Sequence, residues 1–327
     1  MTDKMDISEA FSLITEEYRS YRSEKPAVVV IAGPTASGKT SLSIRLAKEL
    51  GGEIVSCDSM QIYKYMDIGT AKPTFEERSQ AVHHMIDFLE PWKEYSTAEF
   101  CEDAKKCIKD IISRGKTPIL SGGTGLYISS LIDNIEFTQS DPKEDELRAE
   151  YEKIASEQGI DPVYDILVKE DPEAAEAIHR NNIKRVIRAV VLLKVTGMTQ
   201  KERNRLSREK ESDYDFLTYI LDPDRDVLYE RIEKRVDDMI DQGLEDEVRR
   251  VLGICYSAYE RGLSSSPMPS KTARQAIGYK EFIEYLSDEF FGNPPVEDIK
   301  INTRRYAKRQ LTWLRGIENA KRLPIEY

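Results

Sequence analysis

The sequence has few of the residues that build disulfide scaffolds, metal centres or membrane spans. Its 327 residues include 4 cysteines and 3 histidines, with no CxxC pair and no zinc-ligand spacing. We therefore expect reduced thiols, and neither a disulfide framework nor a structural metal. The longest aliphatic run is Ala27–Ala32, far below the ~20 residues that cross a bilayer, which argues against a membrane protein.

A secretory signal is also lacking at the amino terminus. Met1–Ser23 is polar, and its apolar residues follow helical spacing without a continuous apolar segment. We expect a cytoplasmic protein, and nothing in the sequence indicates an obligate protein partner.

Positive charge is in the minority but locally concentrated. The chain has 48 Lys and Arg against 59 Asp and Glu, a net charge of −11, which argues against nucleic-acid binding through the whole surface. Residues 180–210, however, include ten basic and two acidic residues, and residues 300–322 include eight and one. Each segment fits either a local polyanion site or a solvated helix face, and charge alone favours the face.

Short apolar runs alternate with helical patterns over most of the chain. The patterns predict strands at 27–32, 53–56, 85–89, 118–121 and 216–221, and helices at 41–50, 97–113, 227–252 and 296–314. Such alternation predicts a parallel sheet covered by helices on both faces. Residues 261–270 are rich in Gly, Ser and Pro and are predicted to form a mobile loop.

One segment interrupts this alternation. Residues 138–212 show helical periodicity and many charges but no convincing strand. We therefore predict an α/β fold with a core at 1–137 and 213–327, which is P-loop NTPase-like because GPTASGKT follows its first strand, and a helical insertion at 138–212. Residues 1–25 are predicted to be a helical amino-terminal extension of the core.

A phosphate-binding loop follows the first predicted strand. The segment matches G-x-x-x-x-G-K-[ST] between a strand and a helix, the context that makes the match specific. Backbone N–H groups and the helix amino terminus attract a phosphate, Lys39 adds a full positive charge, and the Thr40 hydroxyl is suited to bind Mg²⁺. The predicted phosphate-binding residues are Gly33, Pro34, Thr35, Ala36, Ser37, Gly38, Lys39 and Thr40.

A carboxylate stands at the end of the second predicted strand. Asp58 lies at the sheet edge where α/β proteins bind their ligands. Chemistry alone leaves three roles equally open: a group that holds Mg²⁺ indirectly, through one of its ligands, a helix N-cap or a general base. The acidic strand end that holds Mg²⁺ in many P-loop NTPases and an arginine-rich lid are not evident, which weighs against a kinase.

Several longer motifs resemble those of the tRNA dimethylallyltransferases. In chain order they are GPTASGKT, DSMQIYKYMDIGTAKP, HHMIDFLEP, YSTAEF, GKTPILSGGTGLYI, RVIRA, LYERIEKRVDDMIDQGLEDEV, QAIGYKE and TRRYAKRQLTWLR. The resemblance covers nearly the whole chain. It implies transfer of a dimethylallyl group from dimethylallyl diphosphate to N6 of the adenosine 3′ of the anticodon in tRNA, with release of diphosphate. Without the Cys/His finger of eukaryotic relatives, the chain resembles the bacterial type.

The resemblance also assigns roles to individual residues. Asp58 becomes the general base, Thr35 and Thr124 lie near the reacting atoms, and Arg225 helps to hold the diphosphate. Thr124 fits an N-cap role equally well. The residues implied to contact tRNA are Asp58, Ser59, Met60, Gln61, Thr124, Arg148, Lys184, Arg185 and Arg188.

Two departures from the family pattern and two histidines need a separate reading. Tyr65 stands where a glycine is common, and Arg180–Asn182 replaces a more usual Pro-Asn-Asp. Without a cysteine or third histidine nearby, His83 and His84 are interpreted as structural groups.

Other functions compete with the prenyl transfer. A small-molecule P-loop kinase, an enzyme that prenylates free adenine nucleotides and an RNA-binding protein switched by nucleotide would all use the same loop. The cationic helical insertion favours a macromolecular acceptor over a free nucleotide.

Overall fold

The computed structural model describes residues 4–135, 137, 142–207, 210–287 and 293–327. The chain divides into two compact units, one formed by Met1–Ile132 with Asp213–Tyr327 and the other by Asp133–Ser212. The insertion was predicted to begin at 138, and residues 138–141 lie outside the described part of the chain. None of the described helices is long and apolar enough to cross a membrane.

Six strands and fourteen α-helices are found among the described residues. The strands are β1 (Ala27–Ala32), β2 (Gly52–Ser56), β3 (His83–His84), β4 (Thr117–Gly122), β5 (Asp215–Leu221) and β6 (Lys321–Leu323). The helices are α1 (Ile7–Ser20), α2 (Lys39–Leu50), α3 (Phe75–Gln80), α4 (Thr97–Ser113), α5 (Gly125–Ile132), α6 (Pro142–Gln158), α7 (Asp161–Glu170), α8 (Pro172–Ala177), α9 (Ile183–Thr196), α10 (Gln200–Leu206), α11 (Arg225–Asp241), α12 (Leu244–Glu260), α13 (Tyr279–Ser287) and α14 (Val296–Leu314).

The strands form one parallel sheet in the order β3-β2-β4-β1-β5-β6. β1 is central, with Val29 opposite Ile119 of β4 and Leu217 of β5. Its aliphatic sequence suits this place, because a parallel strand covered on both faces is apolar on both. The predicted α/β fold is confirmed, and the parallel arrangement brings the carboxyl ends of the strands to one edge.

The predicted strand at 85–89 is wrong in position. β3 is the two-residue strand His83–His84, which pairs with Ile54 and Val55 of β2. Met85 and Asp87 have φ angles of 60° and 58°, in the left-handed region, so the extended backbone ends before them. Alternating apolar residues do not reveal this change of backbone conformation.

The single long helix predicted at 227–252 is two helices. α11 ends at Asp241 and α12 begins at Leu244, with Gly243 at a φ of 91° between them. Only glycine adopts that conformation without steric cost, so the chain turns there. The turn places Leu244 and Val248 in a buried cluster with Tyr63.

The unit Asp133–Ser212 has its own core. In its described residues all regular elements are helices, α6 to α10, and Val163, Leu167, Val186 and Val190 are buried among them. Asn182 caps α9, since its side-chain oxygen accepts a hydrogen bond from Arg185 N at 3.4 Å. The unusual Arg180–Asn182 segment therefore still supplies a helix cap.

Replacing Phe100 by alanine is expected to destabilise the larger unit by about 3–5 kcal/mol. Phe100 of α4 is fully buried and stacks on Tyr127 of α5 with ring centroids 3.8 Å apart. Phe75→Ala is the control, because Phe75 is 77% exposed and should change stability by less than about 0.5 kcal/mol. Denaturant unfolding measures both, and equal losses would contradict the packing described here.

Candidate functional site

A cavity of about 420 Å³ opens at the carboxyl edge of the sheet. The phosphate-binding loop after β1, the segment after β2 and the helices α11 and α14 contribute its walls. All of its lining residues belong to the larger unit. This is the position at which open α/β sheets bind ligands.

The loop between β1 and α2 is shaped to receive an anion. Gly38 has a φ of 71° and precedes α2, and no side chain of the described residues caps this helix, so its first amides remain free for a ligand. Gly33 packs against the sheet, since a Cβ there would lie 3.1 Å from the Leu221 carbonyl oxygen. Ser37 Oγ donates to Pro34 O at 2.7 Å and fixes the turn.

Lys39 supplies a partly desolvated cation within this loop. Its Nζ donates to Pro34 O at 2.6 Å. Burial, reinforced by the charge of Arg235, lowers the pKa of Lys39 to about 7, while Asp58 opposes the shift. An anion bound in the loop would favour the protonated amine and relieve both effects.

Asp58 is held by the backbone on one oxygen only. Its Oδ1 accepts hydrogen bonds from Met60 N at 2.9 Å and Gln61 N at 3.3 Å. Within the described residues no hydrogen bond reaches Oδ2. Burial raises the pKa of Asp58, which makes this carboxylate a better proton acceptor than an exposed one.

Thr124 joins the end of β4 to the segment after β2. Its hydroxyl accepts from Ser59 N at 3.1 Å and donates to Ser59 Oγ at 3.4 Å. Its carbonyl oxygen accepts from Ile128 N, so the residue stands at the N-cap position of α5 while its hydroxyl is used elsewhere. Thr124 thus orients the residue that follows Asp58.

Gln310 of α14 holds the phosphate-binding loop in place. Thr35 N donates to its Oε1 at 2.9 Å, and its Nε2 donates to Gly123 O at 3.0 Å. Gln310 was not among the site residues predicted from the sequence. Its place among the charged residues of TRRYAKRQLTWLR was the available signal, because a buried amide in a helix needs specific partners.

The arginines of α11 are distributed differently from the sequence expectation. Arg225, the predicted diphosphate residue, is exposed at the start of α11, where its Nε donates to Tyr229 Oη at 3.1 Å, and it does not line the cavity. Arg235 lines the cavity, with Nη1 3.4 Å from Thr35 Oγ1. Arg231 Nε donates to Ala36 O at 2.9 Å.

Helical geometry accounts for that difference. Arg231 and Arg235 are four residues apart and share one face of α11, whereas Arg225 lies about 15 Å up the helix axis from Arg235. Among the arginines of α11, Arg235 is therefore the one that lines the cavity beside the loop. Burial and the neighbouring Arg231 lower the pKa of Arg235.

The side chain of Gln61 is already committed within the protein. Its Nε2 donates to Thr70 O at 3.3 Å and Ala71 O at 3.1 Å, and its Oε1 accepts from Ser56 Oγ at 3.3 Å. Ser59 and Met60 also line the cavity. Gln61 thus acts first as a brace between two segments of the wall.

The histidines and Tyr65 occupy distinct environments. His83 lines the cavity and its Nδ1 donates to Ala81 O at 2.9 Å, while His84 Nε2 lies 2.7 Å from Glu53 Oε2. Burial lowers the pKa of His83, which favours the neutral ring. Tyr65 has a φ of 68°, in the left-handed region that favours glycine, which agrees with the glycine that the resemblance leads one to expect there.

The remaining predicted contact residues lie in the second unit. Lys184, Arg185 and Arg188 are exposed on α9, with Arg188 three and four residues from the other two and hence on a shared face. On α6, Arg148 Nη1 donates to Asp145 Oδ1 at 3.2 Å. The three α9 cations form an exposed basic surface on this unit.

The fold and the cavity define an α/β protein with a P-loop-type phosphate site, which shares its cavity with a desolvated carboxylate. The chain matches the family model for IPP transferases over residues 61–317 and the model for isopentenyl transferases over residues 26–87. It belongs to the IPP transferase family.

Two curated relatives extend this result to nearly the whole chain. The tRNA dimethylallyltransferase of Acetivibrio thermocellus is 48% identical over 293 residues, 89% of this chain and 90% of the relative. That of Bacillus mycoides is 47% identical over 294 residues, 90% of this chain and 88% of the relative.

Solved structures agree with the sequence relatives. The full-length tRNA isopentenylpyrophosphate transferase of Bacillus halodurans superposes with a TM-score of 0.64 at 41% identity, over 92% of this chain and 90% of that one. A eukaryotic dimethylallyltransferase acting on tRNA gives a TM-score of 0.71 at 31% identity, over 88% of this chain and 70% of that one.

Arg235→Gln is expected to weaken the binding of inorganic diphosphate by about tenfold or more, because it removes a charged donor beside the phosphate-binding loop. Arg225→Gln removes the same charge from the same helix outside the cavity, and should leave the affinity within about twofold. Titration calorimetry compares the two variants with the unaltered protein. A larger loss for Arg225→Gln would place the diphosphate elsewhere.

Proposed function

We propose that this protein transfers a dimethylallyl group from dimethylallyl diphosphate to N6 of the adenosine 3′ of the anticodon in tRNA. The proposal rests on the observation that one cavity contains both the phosphate-binding loop and the desolvated carboxylate of Asp58. The names of the relatives supply the substrate class. In this reaction the phosphate-binding loop holds the leaving group, and the carboxylate accepts a proton from the incoming nucleophile.

The phosphate-binding loop stabilises the departing diphosphate. As the allylic C–O bond breaks, its electron pair and the negative charge move onto the diphosphate oxygens. The backbone amides at the start of α2 are donors for the diphosphate, while Lys39 and Arg235 add positive charge at the same place. Stabilising charge that develops in the transition state lowers the barrier.

Asp58 receives the proton from the acceptor amine. The lone pair of N6 is delocalised into the adenine ring, so the amine is a weak nucleophile until a base removes its proton. N6 bonds to the allylic carbon as the C–O bond breaks, and the N6 proton passes to Asp58 Oδ2, the oxygen without a backbone partner. Thr35 lines the same cavity, and Thr124 contributes by holding Ser59, the residue that follows Asp58.

The prenyl chain fits the apolar part of the cavity. Val236 and Met239 of α11, with Ile277 and Ile299, line that part of the wall. Allylic carbons with carbocation character react with water. Apolar side chains and a bound acceptor exclude water and so protect the reacting carbon from hydrolysis.

Mg²⁺ fits the site through Thr40. The Thr40 side chain lines the cavity, and no hydrogen bond from its hydroxyl is found within the described residues. Mg²⁺ commonly takes one or two protein oxygens, with water and substrate phosphate oxygens completing its shell. When bound, it would neutralise charge on the diphosphate.

The tRNA contacts divide between the two units. A stacked adenine cannot reach Asp58, so the base must leave the anticodon loop and enter the cavity beside Ser59, Met60 and Gln61. In the second unit, Arg148, Lys184, Arg185 and Arg188 supply cations for the phosphates of the anticodon stem.

Incubation with Mg²⁺, dimethylallyl diphosphate and unmodified tRNA should yield N6-dimethylallyladenosine on nucleoside analysis.

Asp58→Asn keeps the contacts of Oδ1 but removes the basic oxygen, so turnover should fall about 10²-fold while diphosphate binding stays nearly unchanged. Prenylation of free nucleotide alone, or consumption of ATP without prenyl transfer, would overturn the proposal in favour of the competing enzymes.

Arg185→Ala is expected to weaken tRNA binding and to make the dependence of log affinity on log salt shallower by roughly one unit. Lys153→Ala is the matched control, because Lys153 is an exposed cation of the same unit outside the basic segment. Filter binding at several salt concentrations measures both slopes. An unchanged slope for Arg185→Ala would place that residue off the RNA.

A further inference from the structure

The loop from Met66 to Lys72 forms part of the cavity wall, and we call it the 66–72 loop. Gly69, Thr70 and Ala71 line the cavity directly. The loop has no regular secondary structure, so its shape depends on contacts from other elements. Those contacts converge on one buried carboxylate, that of Glu247 in α12.

Glu247 binds three consecutive backbone amides of this loop. Its Oε2 accepts from Asp67 N at 3.0 Å and Ile68 N at 2.8 Å, and its Oε1 accepts from Gly69 N at 3.0 Å. Tyr279 Oη also donates to Oε1, at 2.7 Å. Glu247 is 1% exposed, so these four donors replace water around the charge.

Packing fits the loop closely against the same carboxylate. A Cβ on Gly69 would lie 2.7 Å from the Tyr279 ring and 2.9 Å from a Leu244 methyl group. Only glycine permits this approach, which brings the Gly69 amide within hydrogen-bond distance of Glu247. The contact is therefore specified jointly by the loop and by two helices, α12 and α13.

The other side of the loop orients Gln61. The carbonyl oxygens of Thr70 and Ala71 accept both hydrogen bonds from the Gln61 amide. The buried Lys72 amine anchors the loop end by donating to Asp67 Oδ1 at 2.6 Å, Asp87 Oδ1 at 2.8 Å and Tyr63 O at 2.8 Å. Carboxylate, loop and Gln61 thus form one continuous chain of contacts.

This chain of contacts reaches the acceptor side of the cavity. Gln61 N donates to Asp58 Oδ1, the carboxylate that takes the N6 proton under the proposed function. No hydrogen bond joins the 66–72 loop to the phosphate-binding loop within the described residues. Displacing the 66–72 loop would disturb the place of the extruded base and leave the diphosphate site intact.

We propose that Glu247 is a positioning residue for the acceptor base, acting through the backbone amides of Asp67, Ile68 and Gly69. It touches neither substrate. Its carboxylate oxygens accept hydrogen bonds from three neighbouring N–H groups, whose partial positive charges would otherwise repel one another. These contacts fix the shape of the loop that forms the wall beside Asp58. The inference rests on the proposed function, because it assigns that wall to the acceptor.

Glu247→Gln is the first test. The carboxamide has one acceptor oxygen and turns an NH₂ group toward amide donors, so the clamp loses at least one of its contacts. We expect kcat/KM for tRNA to fall about 30-fold or more, with the KM for dimethylallyl diphosphate and the Kd for inorganic diphosphate within about twofold. Glu245→Gln, the same change at a partly exposed carboxylate of α12 that pairs with Arg249 outside the cavity, should leave all three constants unchanged.

The number of diphosphate sites per protein chain distinguishes a positioning role of Glu247 from a loss of folded protein. Calorimetric stoichiometry counts correctly folded phosphate sites, and turnover is normalised to that count. A normalised kcat/KM for tRNA equal to that of the unaltered protein overturns the proposal. A parallel loss of diphosphate affinity also overturns it, because Glu247 would then support the whole cavity. Absence of product from the unaltered protein would instead reject the proposed function.

A milder variant serves if Glu247→Gln does not fold. Tyr279→Phe removes one donor to Oε1 and leaves the three backbone amides bound. It should lower kcat/KM for tRNA by about three- to tenfold, again without changing diphosphate affinity. Hydrogen exchange at the amides of residues 67–69 should accelerate in the variant, and an unaltered rate together with unaltered kinetics would overturn the proposal.

Discussion

Concentrated positive charge around the first turn of α2 is the constraint on which the site depends. The free amides after Gly38, the amine of Lys39 and the guanidinium of Arg235 meet in a partly closed cavity. Cations so close together lower one another's pKa and raise the energy of the empty site. A bound polyanion removes that cost, which is why the proposed function assigns the departing diphosphate to this cavity.

The rest of the core fixes that charge against elements that are distant in the sequence. Gln310 of α14 bridges Thr35 and Gly123, and Arg231 of α11 binds Ala36 O. A buried amide and a partly buried guanidinium leave unsatisfied donors if they shift, so each contact resists movement of the loop. The same logic holds Asp58 in place through backbone amides and Ser59 through Thr124.

Membership of the IPP transferase family joins these features to a chemistry. An allylic diphosphate needs a stabilised leaving group, a base for the incoming amine and protection from water. The cavity brings Lys39 and Arg235 together with Asp58 and an apolar wall. A phosphoryl-transfer enzyme would use the same phosphate-binding loop to hold the phosphoryl group that it transfers. The identity of the acceptor and of the product therefore distinguishes the two functions.

The sequence by itself determined the parallel sheet, the phosphate-binding loop and the position of Asp58, because strand patterns, glycine spacing and a residue at a strand end are local properties. Only the tertiary structure decided that Arg235 and not Arg225 reaches the cavity, that Gly243 divides one helix into two and that Met85 ends a strand. It also revealed the contacts of Gln310 and Glu247. These depend on which helix faces meet after packing and on single left-handed residues, and neither is encoded in the periodicity of a short segment.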